Sequence, residues 1–386
     1  MAQQEKEVVV SSGGAGLGAA VAVEGGTELG ETEAVRARGY WELVWRRFRR
    51  DKVAIASGIF IIFLILVAFV GAPIAKHFIG HGPDEIFTGT AAVELPSLLP
   101  ADPWTHVENV NTGKTDIFVL GAANRLGQDE FLRLLYGARV SLEVALLSTL
   151  GVMAIGVLLG SIAGYFRGWP DTIISRITEV TMAFPLLLFI VALAATVGPQ
   201  LDAITIRGLF PNGVVTLVLI FTIFGWFYPA RIMRAQVLSI REKEYIEAAR
   251  MIGASDMRII RSHVLPHLIA PMIVYSTLIV ASYVLFEAGL SFLGLGIKPP
   301  TASWGNLLSS APEYYTTRPL LMLWPGLAVL MTTLAFNLLG DGIRDAMDPR
   351  TERIFASARN RRGRRKKQQA AAAGSAELAG PSADAR

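Results

Sequence analysis

Six stretches of the chain, 53–75, 144–166, 180–201, 208–230, 264–286 and 319–340, run 22 or 23 residues without one Asp, Glu, Lys or Arg. At about 1.5 Å per helical residue each reaches roughly 33 Å, enough to cross a hydrocarbon core of about 30 Å. In lipid a helix satisfies its own backbone N–H and C=O groups, so helices are the default reading of these runs. Composition agrees: 52% of the 386 residues are hydrophobic and 18% are charged, with a mean hydropathy of +0.45. The expected fold is an all-α membrane protein with six transmembrane helices. The chain has no cysteine, which excludes disulfides, thiolate zinc sites, iron–sulfur ligation and cysteine nucleophiles.

About 50 residues precede the first run and no small-residue cleavage pattern follows it, so it reads as a retained anchor. A cytoplasmic N terminus puts 28 Lys and Arg on the inner side. The other side holds eight: Lys76, Lys114, Arg125, Arg133, Arg139, Arg207, Lys298 and Arg318. That bias orients the chain with both termini in the cytoplasm. The net charge of +4 is too small to argue for nucleic acid. Residues 1–40 and 351–386 show no core-forming periodicity and read as disordered cytoplasmic tails, the basic cluster at 361–367 touching anionic lipid. Between them lie a cytoplasmic segment with the first span (41–75), an external loop or cap (76–137) and a core with five spans (138–350). Gly113, Lys114 and Thr115 resemble the end of a phosphate-binding loop, but Glu108 stands where that loop needs glycine.

The loop 241–266, between spans four and five, is amphipathic and broken by one glycine, which predicts two short helices. Tyr245, Ala248, Ala249 and Ile252 fall at i, i+3, i+4 and i+7 and predict one apolar stripe, flanked by Glu244, Glu247 and Arg250. Gly253 suits the left-handed end of the first helix. Ser255 or Asp256 can cap the second, whose Met257, Ile260 and Val264 continue an apolar face toward Pro266. An amphipathic pair lying on lipid fits this pattern too.

Residue order adds to that reading. Glu247, Ala248 and Ala249, then Gly253, then Val264, Leu265 and Pro266 resemble the EAA signature of ABC importer permeases, with His263 where isoleucine is usual. Trp45 to Lys52, Leu135 to Leu142, Ala183 to Leu186, Glu287 to Gly296, Pro299 to Gly305 and Leu334 to Pro349 are similar to the C-type permease subunits of dipeptide and oligopeptide (and nickel) ABC importers. The likeness spans about residues 40–350. It departs at Ala122, Ala123 and Gln128, where polar positions of the family's outer segment are changed.

The resemblance implies a type I ABC importer permease fold in a bacterial or archaeal-type cell membrane, with a cytoplasmic EAA coupling-helix pair. It implies a B-type permease, two ABC ATPases, an extracytoplasmic substrate-binding protein and a peptide substrate as partners, alongside membrane lipid. This chain would hold no cofactor, ATP and Mg being bound by the ATPases, and would not itself be an enzyme. ATPase coupling would fall to Tyr245, Glu247, Ala248, Ala249, Arg250, Gly253, Ala254, Ser255, Leu265 and Pro266. The family's structural motif positions correspond to Gly137, Ala138, Arg139, Phe184, Pro185, Glu287, Gly294, Trp304, Gly305, Asn337, Gly340, Asp341, Arg344 and Asp345.

Other features have plainer readings. Glu287 should emerge near the outer end of span five, as a capping or pairing carboxylate. Asp341, Arg344, Asp345 and Asp348 predict mutual pairing, and His263 with His267 a structural role, so no metal site is expected. Gly151, Gly156, Gly160 and Gly164 predict close packing on a partner subunit. Trp104, Trp304, Tyr314, Tyr315 and Trp324 predict an interfacial belt, and Pro185, Pro229, Pro271 and Pro325 local loosening of their helices. A nickel or other small-solute importer of the same family is the near alternative. A secondary transporter driven by an ion gradient is the distant one, and it would need intramembrane acids or inverted repeats that these spans lack.

Overall fold

The computed structural model describes residues 40–87, 93–94, 99–100, 102–108, 115–201, 210–211 and 213–348. The expectations for 1–39, 351–386, Gly113 and Lys114 lie outside them. Helix α1 (Tyr40–Phe48) leads to α2 (Lys52–Leu66), whose first turn is capped by Asp51: its Oδ1 accepts from the N–H groups of Val53 (2.9 Å) and Ala54 (3.1 Å). A π turn, Val67–Gly71, passes it without a gap into α3 (Ala72–Ile79). The first long helix thus ends at Ile79, beyond the expected 75, where left-handed Gly80 stops it.

The cap is not all-α. Strands β1 (Val93–Glu94) and β2 (Leu99–Pro100) pair antiparallel, as do β3 (Thr105–Glu108) and β4 (Thr115–Phe118). Phe87, Val107, Phe118 and Ala122 form their own small core. Ala122, Ala123 and Gln128 are buried, Gln128 Nε2 donating to the Asp84 carbonyl, so these departures from the family pattern are packing positions and not an exposed docking surface.

Helix α4 (Glu130–Phe166) is the central pillar, starting at 130 where the expected core began at 138. Of its most apolar window 56% is buried within the chain, against 22–33% for the other long helices. Among the described residues four helices are long and apolar enough to cross a membrane, and two bent pairs pass the same test when joined. One pair is α5 (Gly168–Met182) with α6 (Leu186–Thr196), bent by 84°. Run 180–201 therefore straddles a break: Pro185 has no N–H to give and pushes Phe184 away from helical angles. A single turn, α7 (Gly198–Leu201), follows. The other pair is α8 (Val214–Gly225) with α9 (Phe227–Arg241), bent by 41° at Trp226.

Where packing on a partner subunit was expected, Gly156, Gly160 and Gly164 of α4 meet this chain's own α9, and Gly151 meets the Thr222 side chain. A Cβ on Gly160 would lie 2.5 Å from Ala230 O, and one on Gly164 2.8 Å from Arg234 O. With no side chain between them, α4 and α9 approach closely, and the gain is dispersion, the term that remains between helices in lipid. The chain closes with α10 (Glu244–Met251), α11 (Asp256–Ile259), α12 (Leu265–Phe292), α13 (Trp304–Ser310) and α14 (Leu320–Met347). Pro271 and Pro325 sit inside α12 and α14 without ending them. Phe221 and Tyr283 stack at 4.9 Å in the central core.

Candidate functional site

Helix α10 ends as its glycine dictates. Gly253 is left-handed (φ +82°), its N–H bonds to Arg250 O at 2.9 Å, and Ala254 N–H reaches Ala249 O at 3.0 Å, the paired bonds of a Schellman turn. Ser255 takes the extended N-cap conformation, but its hydroxyl makes no capping bond, and Asp256 does not cap either: its carboxylate accepts from Tyr165 OH at 2.6 Å. From α11 a π turn, Ile260–Val264, leads into α12 without interruption, with Pro266 in the first turn where no N–H is needed. The expected pair is thus one free helix, α10, set by an elbow against the extended start of α12.

The buried side of this elbow differs from the expected stripe. Ile246, Ala249, Ile259, Ile260, Val264 and Leu268 pack with Met153, Val157 and Tyr165 of α4 and with Met233 and Val237 of α9. Of the stripe, Ala249 is buried, while Tyr245, Ala248 and Ile252 face out. Ile252 is 86% exposed, Met251 83% and Met257 70%. Large apolar side chains are held out on a charged elbow, beside exposed Glu247.

Polar contacts fix the elbow to α4. The guanidinium groups of Arg250 and Arg241 lie over the Tyr165 ring, 5.3 and 5.7 Å from its centroid. Arg241 Nη1 also donates to Tyr165 O, and Arg167 pairs with Glu242. Tyr245 stacks on His267 at 5.7 Å, and His267 Nδ1 lies 2.6 Å from His263 O, so the two histidines serve the elbow's structure. Ala254 and Leu265 are half-buried at the bend, and Pro266 is exposed.

The other motif residues gather elsewhere. Glu287 lies 22 residues beyond Leu265, roughly 33 Å along α12. It is wholly buried and accepts from Ser141 Oγ and Ser291 Oγ, each at 2.7 Å; among the described residues it neither caps a helix nor pairs with a cation. Trp304 N–H donates to Ser141 Oγ (3.3 Å) and its Nε1 to Leu134 O (3.2 Å), so Trp304 is a core residue and no part of a belt. Gly305 lets α13 lie on α12, since a Cβ there would be 2.4 Å from Ala288 O. Gly137 does the same on α4, where a Cβ would be 3.2 Å from Ser303 C. Ala138 is buried beside it, Arg139 pairs with Glu143 at 2.8 Å, and Gly294 is left-handed (φ +75°). Phe184 and Pro185 form the break of the 84° pair.

On α14, Gly340 clears Thr277, to whose Oγ1 a Cβ would come within 2.4 Å, and Asn337 is half-buried. Asp341, Arg344 and Asp345 are exposed, and among the described residues no ion pair joins them, contrary to the expected mutual pairing. Among the described residues no cluster of His, Asp and Glu could hold a metal ion.

Sequence reasoning missed Tyr165, Ser141, Ser303 and His81, and it named Asp256 only as a cap. The His81 ring is buried between Phe87 and Phe118, with Nε2 3.1 Å from Asp129 Oδ2 and Nδ1 3.2 Å from Asp116 Oδ2. Burial alone would lower its pKa, but the Asp129 hydrogen bond and the charges of Asp129, Asp116 and Glu85 outweigh that and raise it above the ordinary histidine value. It ties the end of the first long helix to β4 and to the cap of α4.

Residues 156–353 match the family described as the binding-protein-dependent transport system inner membrane component, and residues 39–92 match the N-terminal TM domain of oligopeptide transport permease C. The glutathione transport system permease protein GsiD of Pectobacterium atrosepticum is 36% identical over 310 residues, covering 80% of this chain and 91% of that one. Its namesake from Escherichia coli O6:K15:H31 is 36% identical over 315 residues, 82% of this chain and 92% of that one. An inward-facing structure of the MetNI methionine ABC transporter aligns with a TM-score of 0.46 at 20% identity, over 56% of this chain and 97% of that chain.

Proposed function

From the premise that this chain belongs to the binding-protein-dependent transport system inner membrane components, and so is a permease subunit of an ABC importer, we propose that it carries short peptides. Its span count would be six, each bent pair crossing once, with both termini cytoplasmic. It would form half of the translocation path beside a second permease, receive solute from an extracytoplasmic binding protein, and leave ATP and Mg to two ATPase subunits. The named substrate of both relatives, glutathione, is itself a small peptide, which supports the class without fixing the solute.

The observation that carries the coupling role is the elbow: α10 offers Tyr245, Ala248, Met251 and Ile252 outward while Ile246 and Ala249 anchor it to α4 and α12. An ATPase surface gripping that helix differently in its open and closed dimers would bias the permease between its two states. Purified with its partners and placed in proteoliposomes, the chain should support ATP-dependent uptake of glutathione or a dipeptide. Glu247→Arg should assemble in the membrane yet reduce uptake to background while basal ATP hydrolysis continues. Wild-type uptake rates in that variant would remove the elbow from coupling, and failure of the wild type to move any peptide would remove the substrate class.

A further inference from the structure

Helices α5 and α9 are clamped by Asp171 and Arg234, whose Nη2 and Oδ2 lie 2.8 Å apart, and beside the clamp they enclose a cavity of about 180 Å³. Ser175, Thr178, Glu179, Met182 and Arg231 share its wall with Arg234. That is room for a carboxylate or a few waters. Its charges do not cancel. Asp171 neutralises Arg234, Arg176 neutralises Glu179 at 2.8 Å, Ser175 Oγ donates to Asp171, and Thr178 Oγ1 to its own helix. Arg231 engages no hydrogen bond or ion pair among the described residues and leaves the wall one positive charge in excess.

Depth gives that charge its meaning. Arg231 is the first residue after the charge-free run 208–230 and Glu179 the last before the run 180–201, so the two stand together at the inner ends of their spans. Both limbs belong to bent pairs that are apolar and long enough together to cross the bilayer. A guanidinium at the inner end of a span is turned from lipid toward water, which here is the cavity. The exposed polar face of α5 and α9 is then the face that meets water.

We propose that the α5–α9 cavity is a transit site on the inner half of the translocation path, where Arg231 receives the carboxylate of a passing peptide. The proposal rests on the importer reading above and deepens it. A guanidinium offers paired N–H donors matched to a carboxylate, the group that every free peptide carries at its C terminus. The neutralised Arg234 and Glu179 shape the wall without competing for the anion.

Because the chain has no native cysteine, a single introduced thiol reports its own surroundings. In the complex reconstituted with its partner permease, ATPases and binding protein, Arg231→Cys should react with a membrane-impermeant thiol reagent supplied from the ATPase side. Leu188→Cys, on an exposed and wholly apolar turn of α6, should not. Equal inertness of the two would overturn the aqueous placement. Uptake of trialanine and of its C-terminal amide is then compared. Arg231→Gln should lower the acid-to-amide uptake ratio by about tenfold, and Arg231→Lys should restore most of it. Equal loss of both substrates would make Arg231 a contact to the partner permease and sink the site. A wild-type complex that takes up neither would end the peptide reading and the carboxylate assignment together, while the labelling still decides whether the cavity holds water.

Discussion

Helices α4 and α12 carry a different construction at each end. At the elbow, apolar side chains are held outward, while a buried apolar cluster, the Tyr165–Asp256 hydrogen bond, the Arg167–Glu242 pair and two arginines over the Tyr165 ring fix it from within. At the Glu287 knot, Glu287, Ser303 and Trp304 are at most 1% exposed, and two glycines let backbone lie on backbone. A buried carboxylate is tolerable there because hydroxyls satisfy it, whereas the elbow leaves its surface for something else to satisfy. One end spends its residues on fixing geometry, the other on being gripped.

Stability measurements can break that contrast. The largest effect should come from Gly305→Ala, where the new methyl meets the Ala288 carbonyl at 2.4 Å; overpacking against backbone should cost about 3 kcal/mol in reversible unfolding in detergent. Next, Glu287→Leu strands the Ser141 and Ser291 hydroxyls and should cost about 2 kcal/mol, with Glu287→Gln, which restores an acceptor oxygen, recovering part of it. Similar values for both Glu287 variants would mean that volume, not hydrogen bonding, holds the knot.

The cap adds a smaller, pH-dependent term. The folded pKa of His81 is raised, so its charge pairs stabilise the cap fully below the unfolded value and lose that contribution as pH climbs through the folded one. Proteolysis of the cap in wild type, relative to His81→Gln, should therefore quicken as pH climbs above the ordinary histidine range. A flat ratio would discard the charged pairing. Smallest of all should be Ile252→Ser, within about 0.5 kcal/mol of wild type in unfolding yet strongly impaired in uptake. If it melted like a knot variant, the division between the two ends would fail.

Hydropathy made the long helices legible because composition alone decides whether a segment suits lipid. Direction is not in composition, so the 84° turn after Met182 was hidden inside one apolar run, although Pro185 marked the spot. Gly253 was readable because its left-handed conformation follows from local chain chemistry. The stripe on α10 was misplaced for the opposite reason: Ile246, not Tyr245, faces inward because α4 and α9 lie on that side. The α4 glycines were seen as contacts, but the surface they meet, 70 residues away at Ala230, leaves no local trace. Ser141 and Glu287 are 146 residues apart, and His81 and Asp129 are 48 apart; neither pairing has a periodicity to betray it.

One consequence follows from two equal lengths. Glu130–Phe166 and Asp256–Phe292 are both 37 residues, they run antiparallel, and they are joined at both ends, by Tyr165 with Asp256 at one and by Ser141 with Glu287 at the other. Two rails pinned at each end make a truss: they tilt together but do not splay. Helix α9 is bound to that frame through the α4 glycines, and α5 to α9 through Asp171 and Arg234, so the limb left outside it is α6, beyond the 84° break at Pro185.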